Sequence, residues 1–452
     1  MTETHNRTEG DINLSAARRN WYSVINDPDT LHYLQEDAEY FLHQSLSTPC
    51  LDVLASCEGI YLTDVQGKRY LDFHGNNVHQ LGYRNPFIID KIKQQLDILP
   101  FSPRRFTNVP AIELAKKLGS LLPAGLNRVL FAPGGTSSIS MALKLARVVT
   151  GKHKVISLWD SFHGASLDAI SAGGELDFRK DMGPLMPGVE RIPPPMTYRG
   201  PFSASGSGDL PYAEYLEYVI EKEGDIGAFI IETIRNTDVQ IPSQAYWSKV
   251  REICTKHKVL LILDEIPIAF GRTGKMFAFE HYGIEPDIIC LGKGLGGGVM
   301  PMAAIVARNE YNIAQSISLG HFTHEKSPLG SVAALAMFEF MEQNHILEKV
   351  QQDELFMASE LDRFMDRFAL IGDVRGIGLL WGVELVKDRQ TKEKAVEAAE
   401  TVMYECLKNG LSFKVSQGNV LQLSPPLIIS RVELKEALRI LENAIGIASG
   451  IV

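Results

Sequence analysis

The chain of 452 residues is poor in cysteine, has no run of one charge sign and has no long apolar segment. Its five cysteines (Cys50, Cys57, Cys254, Cys290 and Cys406) form no CxxC pair and no cluster with histidine at metal-ligand spacing. An odd, sparse set in a long chain argues against a disulfide framework and a thiolate metal site, so no metal is expected, and a reducing, cytoplasmic location is. Basic residues number 45 against 55 acidic, a formal charge of −10. Without a basic cluster there is nothing to grip a nucleic-acid backbone. No apolar run is long enough for a bilayer, and the polar start, Met1 to Asn20, lacks the core of a signal peptide, so no membrane partner is expected. Also missing are a GxGxxG turn with an acid about 20 residues later, which NAD would need, and a Walker or kinase set for ATP.

What is present is ordinary for a soluble enzyme: 45% hydrophobic and 22% charged residues, in a chain too long for one simple core. Residues 1–20 read as a loose arm. Residues 29–47 have helical spacing at Leu31, Leu34, Ala38, Phe41 and Leu42. Residues 60–73 read as a hairpin turning at Asp64 to Gly67, and 86–99 and 109–121 as amphipathic helices. Strands then alternate with helices: 128–132, 154–158, 227–232, 259–263, 288–291 and 303–307 against helices 137–149 and 244–257. This rhythm predicts a mostly parallel sheet covered by helices, with ligands at the carboxyl ends of the strands. Residues 191–211, rich in Pro, Gly and Ser, read as a long loop over the site. A long helix from about Ser331, a strand over 378–385, a helix over 392–409 and a last helix from Arg431 read as a second α/β lobe. The expected division is 1–75 (arm and part of a small domain), 76–330 (large domain) and 331–452 (small domain).

The strand ends carry the chemistry. Phe131-Ala-Pro-Gly-Gly-Thr136 joins a strand to a helix whose N-terminal amides and Thr136 hydroxyl suit an anion. Phe162, in Ser161-Phe-His-Gly164, follows a strand and can stack on a flat heterocycle. Glu232 and Asp264 each close an apolar strand. Lys293 follows the run Ile288 to Leu291 and is bounded by glycines. An anion cradle, an aromatic plate, a carboxylate and an amine are what pyridoxal phosphate (PLP) uses: one grip through its ring nitrogen, one covalent through an imine.

From Tyr61 to about Leu427 the chain resembles the class III PLP-dependent aminotransferases of fold type I. The resemblance rests on an ordered series. It begins with Asp64-x-x-Gly67-x-x-Tyr70-Leu-Asp72, Gly134-Gly-Thr136 with Ala142 to Arg147, and Phe162-His-Gly164. It continues with Ile230-Ile-Glu232, Asp264-Glu followed by Phe270-Gly-Arg-Thr-Gly274, and Pro286-Asp followed by Gly292-Lys-Gly294. It closes with Thr323 before Pro328 and with Arg375-Gly-x-Gly378. It implies an α/β fold with a seven-stranded, mostly parallel sheet in a large domain, and a smaller α/β domain made from both chain ends. It implies PLP, with Lys293 as covalent anchor and proton shuttle, Asp264 at the pyridine nitrogen and Phe162 on the ring. Gly135 and Thr136 bind the phosphate, with Thr323 supplied by the other subunit of a homodimer; His163 and Glu232 line the same pocket.

Departures from the family bear on substrate. Gln422 stands where an arginine often clamps a carboxylate, and Arg235 stands where glutamine is common. Pro267 replaces the glutamine that meets the cofactor's phenolic oxygen. Charged residues fill 324–326. Asn76 to His79 and Arg104 to Thr107 fall where the family admits substrate. The expected substrate is a small amine lacking a carboxylate beside its nitrogen but carrying a phosphonate or phosphate further out. Arg235, Asn77, His79, Arg105 and Gln422 are the substrate-facing residues, with Arg104 and Lys326 as further cations. The expected chemistry is that of an ammonia-lyase on such an amine. An ω-aminotransferase, a phosphoethanolamine-type phospholyase and a non-catalytic PLP-fold binding protein are the alternatives.

Overall fold

A computed structural model describes residues 16–25, 27–44, 50–203, 206 and 208–450. The chain divides into two compact units, one of residues 1–85, 237–239 and 349–452, the other of residues 86–236 and 240–348. No helix among the described residues is long and apolar enough to cross a membrane.

The second unit is built on the seven-stranded sheet implied by the resemblance. Its order is Leu126–Ala132, Ala303–Arg308, Ile288–Leu291, Leu260–Asp264, Ile226–Glu232, Lys154–Leu158 and Val189–Ile192. The pairings are parallel except those of Ala303–Arg308, which runs against both its neighbours. Ile226–Glu232 and Leu260–Asp264 are buried at every residue. Being covered on both faces is why these strands read as unbroken apolar runs rather than as alternations. Helix Gly135–Thr150 lays Met141, Ala142, Leu145 and Ala146 on Ile230, Ile262 and Ile305. It ends at Gly151, whose φ of +67° makes a left-handed cap.

Two expectations change here. Val189–Ile192 is a strand and takes the start of the expected 191–211 loop, of which residues 204, 205 and 207 lie outside the described residues. The expected long helix is Pro328–Gln343. It starts with Ser327 accepting from Gly330 N–H and packs on Pro86–Ile98 and Val109–Leu121. That packing moves the boundary from 330 to 348, and residues 76–85 fall in the first unit rather than the large one.

The first unit contains two sheets. One has Leu54–Glu58, Tyr61–Asp64, Arg69–Asp72 and Leu411–Ser412; the other has Ile371–Ile377, Leu380–Asp388, Val420–Leu423 and Lys414–Ser416, with Glu393–Lys394 on Leu380–Asp388. The expected hairpin turn forms because Asp64 Oδ1 accepts the N–H groups of Gln66 and Lys68 at 3.0 and 2.8 Å. Helices Val396–Lys408 and Arg431–Ala448 complete the unit, the second opened by a reciprocal Ser430–Glu433 cap. Of the expected arm, residues 1–15 lie outside the described residues. Residues 16–20 are not loose: they begin helix Ala16–Val24, whose Trp21 is buried and donates Nε1–H to Leu51 O at 3.0 Å. The helix expected over 29–47 is Pro28–Tyr40; 45–47 lie outside the described residues.

Candidate active site

Adjacent parallel strands bring Glu232 and Asp264 side by side, as Cα partners at the last rung. Asp264 is buried; its Oδ2 lies 2.8 Å from His163 Nδ1 and its Oδ1 accepts Ile266 N–H at 3.0 Å. His163 is buried, and its Nε2 has no hydrogen-bond partner among the described residues. Glu232 accepts Asn236 N–H at 3.0 Å and Phe162 N–H at 3.4 Å. Burial holds the Glu232 carboxyl above its usual range, against the pull of Arg235 and with the push of Asp264. Phe162 is half-buried, its ring 4.7 Å from that of Phe178.

The glycine-rich turn leads into helix Gly135–Thr150, whose first amides have no acceptor one turn earlier and whose dipole favours an anion. Ile266 packs between this cradle and the lysine turn. A Cβ on Gly135 would lie 3.0 Å from its Cδ1, and one on Gly292 would lie 3.2 Å from its Cγ2. Lys293 is half-buried and opens the short turn Lys293–Gly296 with φ of +48°. A side-chain-bearing residue held there stores roughly 1–3 kcal/mol of strain, a feature that gathers at functional sites. The cradle, Phe162, His163, Glu232, Asp264 and Lys293 thus all lie at carboxyl ends of strands of one sheet, within one unit.

The expected substrate residues fare differently. Arg235 is neither a solvated surface charge nor an open cation. It is buried and its Nη2 meets Glu175 Oε1 at 3.2 Å and the Asp160 carbonyl. Arg105 is exposed, as is Arg104, which bonds His321 Nδ1. Thr323 is exposed, and the carbonyl of Lys326 accepts Asn108 Nδ2–H at 3.0 Å. Asn77, His79 and Gln422 belong to the first unit. Asn77 has φ of +57° and a buried Oδ1 without a hydrogen-bond partner among the described residues. His79 is buried with Nε2 3.1 Å from Asp72 O. Gln422 is buried, Nε2 reaching Ser424 Oγ at 3.4 Å. Glu217, Glu221 and His257 approach within 4.8 Å, a grouping of metal-ligand types that their spacing in sequence hides. A cation is already there: Lys256 Nζ lies 2.7 Å from Glu217 Oε1.

Glu265 escaped the sequence reading. It is buried and accepts Thr233 Oγ1–H at 2.9 Å, Ala278 N–H at 2.8 Å and Phe279 N–H at 2.7 Å, tying the chain beyond Glu232 to the chain beyond Asp264. A second acid inside an otherwise apolar stretch was the available signal. Burial pushes its carboxyl up to about 7 from an ordinary 4.5, against these donors. The folded protein therefore keeps a proton that the unfolded chain releases at lower pH. Stability from this group is full below about pH 4.5 and falls by roughly 3 kcal/mol as pH rises through 7. Urea midpoints measured across this range should show that decline, and Glu265→Gln should flatten it; an unchanged slope in the variant would remove Glu265 as its source.

The class-III aminotransferase family model matches residues 44–445. A protein of Vibrio splendidus (strain 12B01), (R)-1-hydroxy-2-aminoethylphosphonate ammonia-lyase, is 59% identical over 99% of this chain and 96% of its own length. The leucine/methionine racemase of Thermococcus litoralis is 36% identical over 85% of this chain and 88% of its own. Among solved structures, the omega transaminase from Pseudomonas jessenii in complex with PMP superposes with a TM-score of 0.87 at 28% identity, covering 92% of this chain and 99% of that one. The taurine:2-oxoglutarate aminotransferase from Bifidobacterium kashiwanohense, in complex with PLP and glutamate, gives 0.87 at 27% identity, covering 93% and 98%.

Proposed function

Because the chain belongs to the class-III aminotransferase family, we propose that it is a PLP-dependent ammonia-lyase. Its substrate is (R)-2-amino-1-hydroxyethylphosphonate and its products are phosphonoacetaldehyde and ammonia. The observation that carries this reading is the 59% identity, over nearly the whole of both chains, to the Vibrio protein of that name. The residues present fit the cofactor. A helix N-terminus with Gly135 and Thr136 suits its phosphate, and Phe162 suits its ring. Asp264 is a buried carboxylate for its ring nitrogen, and Lys293 opens the turn that follows the next strand.

When bound, PLP supplies a covalent hold on the substrate nitrogen and an electron sink for the carbon beside it. Asp264, oriented by His163 and the Ile266 N–H, offers the negative charge that keeps the ring nitrogen protonated. Lys293 Nζ takes the proton from the carbon bearing nitrogen and hands one to the departing hydroxyl of the next carbon. Water lost there returns when the unsaturated amine hydrolyses, so the net change is loss of ammonia alone. Arg235 and Arg105 are the cations offered to the phosphonate; at Arg235 the phosphonate must compete with Glu175.

Incubating the purified protein with the aminohydroxyphosphonate and no keto acid should release ammonia and phosphonoacetaldehyde in equal amounts. Strict dependence on pyruvate would instead establish the ω-aminotransferase reading, which the likeness to the Pseudomonas jessenii enzyme favours. Gln422, where the family often has arginine, leaves that reading without its carboxylate clamp. We also place the protein in the cytoplasm as a homodimer. Exposed Ile98, Phe106 and Val109 supply an apolar surface that a second copy can cover, and Thr323 is exposed for sharing. A monomeric mass by light scattering would sink the shared-site arrangement.

A further inference from the structure

The Thr136 hydroxyl is tied into the protein. Its Oγ1 lies 2.7 Å from Ser166 Oγ and accepts Ser166 N–H at 3.2 Å. Ser166 Oγ lies 2.5 Å from Asp168 Oδ1, which also accepts Ala169 N–H at 2.9 Å. Ser166 precedes helix Leu167–Ala172 as its N-cap residue, yet its side chain makes no capping bond; it faces Thr136 and Asp168 instead. Burial works against the charge on Asp168, but bonds from Ser140, Ser166 and Ala169 outweigh it and hold the carboxyl below its usual range. An ionised carboxylate only accepts, and Ser166 Oγ carries one proton, so that proton goes to Asp168. Thr136 is then the donor to Ser166, so its one hydroxyl proton is directed from Asp168 away from the cradle, and the backbone amides of the helix N-terminus are what face an anion. The backbone closes the same joint. Gly164 has φ of +128°, and a Cβ there would lie 2.5 Å from Thr136 Oγ1 and 2.9 Å from Thr136 Cα. Only glycine lets the two loops meet so closely.

We propose that Ser166 and Asp168 are positioning residues that lock the phosphate cradle at Thr136 to the loop carrying Phe162 and His163. The phosphate grip and the ring grip are thereby set relative to each other before the cofactor arrives. This rests on the PLP reading above. Its physical effect is preorganisation: the two loops lose their freedom at folding rather than at binding.

Apoprotein titrated with PLP and, separately, with pyridoxal isolates the phosphate's share of affinity, and phosphorus NMR of bound PLP reports on the cradle directly. Ser166→Ala should weaken PLP by roughly tenfold, since the cradle and the Phe162 loop would then be ordered only at binding, and shift the phosphorus resonance. Pyridoxal affinity should stay within about twofold, and Ser166→Thr should restore PLP binding and resonance together. Asp168→Asn should give the same pattern more weakly, and decides the matter if Ser166→Ala does not fold. PLP affinity and resonance unchanged in these variants, or equal loss toward PLP and pyridoxal, would overturn the positioning role. If the unsubstituted protein itself takes up no PLP, the cofactor reading fails first, which is a different result.

Discussion

On the proposed reading, Lys293→Ala should lower turnover by at least about ten-thousand-fold, since it would remove both the covalent anchor and the base. The chemistry of the strand ends leaves no substitute among the cofactor-pocket residues. Asp264 is committed to His163 and Ile266, and Glu232 is buried with its acceptors taken by Asn236 and Phe162. The check is borohydride reduction followed by peptide mass analysis. The unsubstituted protein should carry the cofactor's mass on the peptide containing Lys293, and the variant should carry none. A variant keeping more than about a tenth of the activity would be a change of under 1.4 kcal/mol, too small for either role, and would sink the assignment.

Glu175→Ala destabilises the protein by roughly 3–5 kcal/mol, because it strips a hydrogen-bonded carboxylate from a guanidinium that stays buried. Arg235 and Glu175 are 5% and 3% exposed, so water cannot replace the lost partner without the fold opening. Replacing both by apolar residues removes the charge along with its partner. Glu175→Leu with Arg235→Met should therefore be more stable than Glu175→Ala alone. Urea unfolding of the three proteins measures this. If Glu175→Ala lies within about 0.5 kcal/mol of the unsubstituted protein, the pair contributes nothing and Arg235 finds its charge balance elsewhere.

Much of the site could be read from the sequence because it consists of strand ends. Apolar runs that stop at Glu232, Asp264 and Gly292 announce both the strand and the carboxyl end where chemistry collects. Val189–Ile192 was hidden because Glu190 and Arg191 interrupt its apolar pattern and Pro193 to Pro195 follow. It can carry charges because it is an edge strand, paired on one side only. Helix Ala16–Val24 was hidden by its charged surroundings; Trp21, bonded to Leu51 O, and Tyr22, bonded to Cys50 O, fasten it. The partner of Arg235 was hidden for another reason. A lone sequence shows that a cation is present, while its partner, 60 residues away, becomes its neighbour only in the fold. The same holds for Ser166, 30 residues from Thr136.

The inverted strand Ala303–Arg308 bears on how the molecule is born. Leu126–Ala132, which delivers the chain to the cradle, is an edge strand whose one partner in the sheet arrives about 170 residues later. At 5–20 residues per second, a ribosome takes on the order of ten to thirty seconds to supply it. Through that interval the nascent chain carries an unpaired strand beside an unfinished parallel sheet, a state prone to capture by other chains. Until that gap closes, the strand that leads into the Gly135 turn lacks its partner in the sheet.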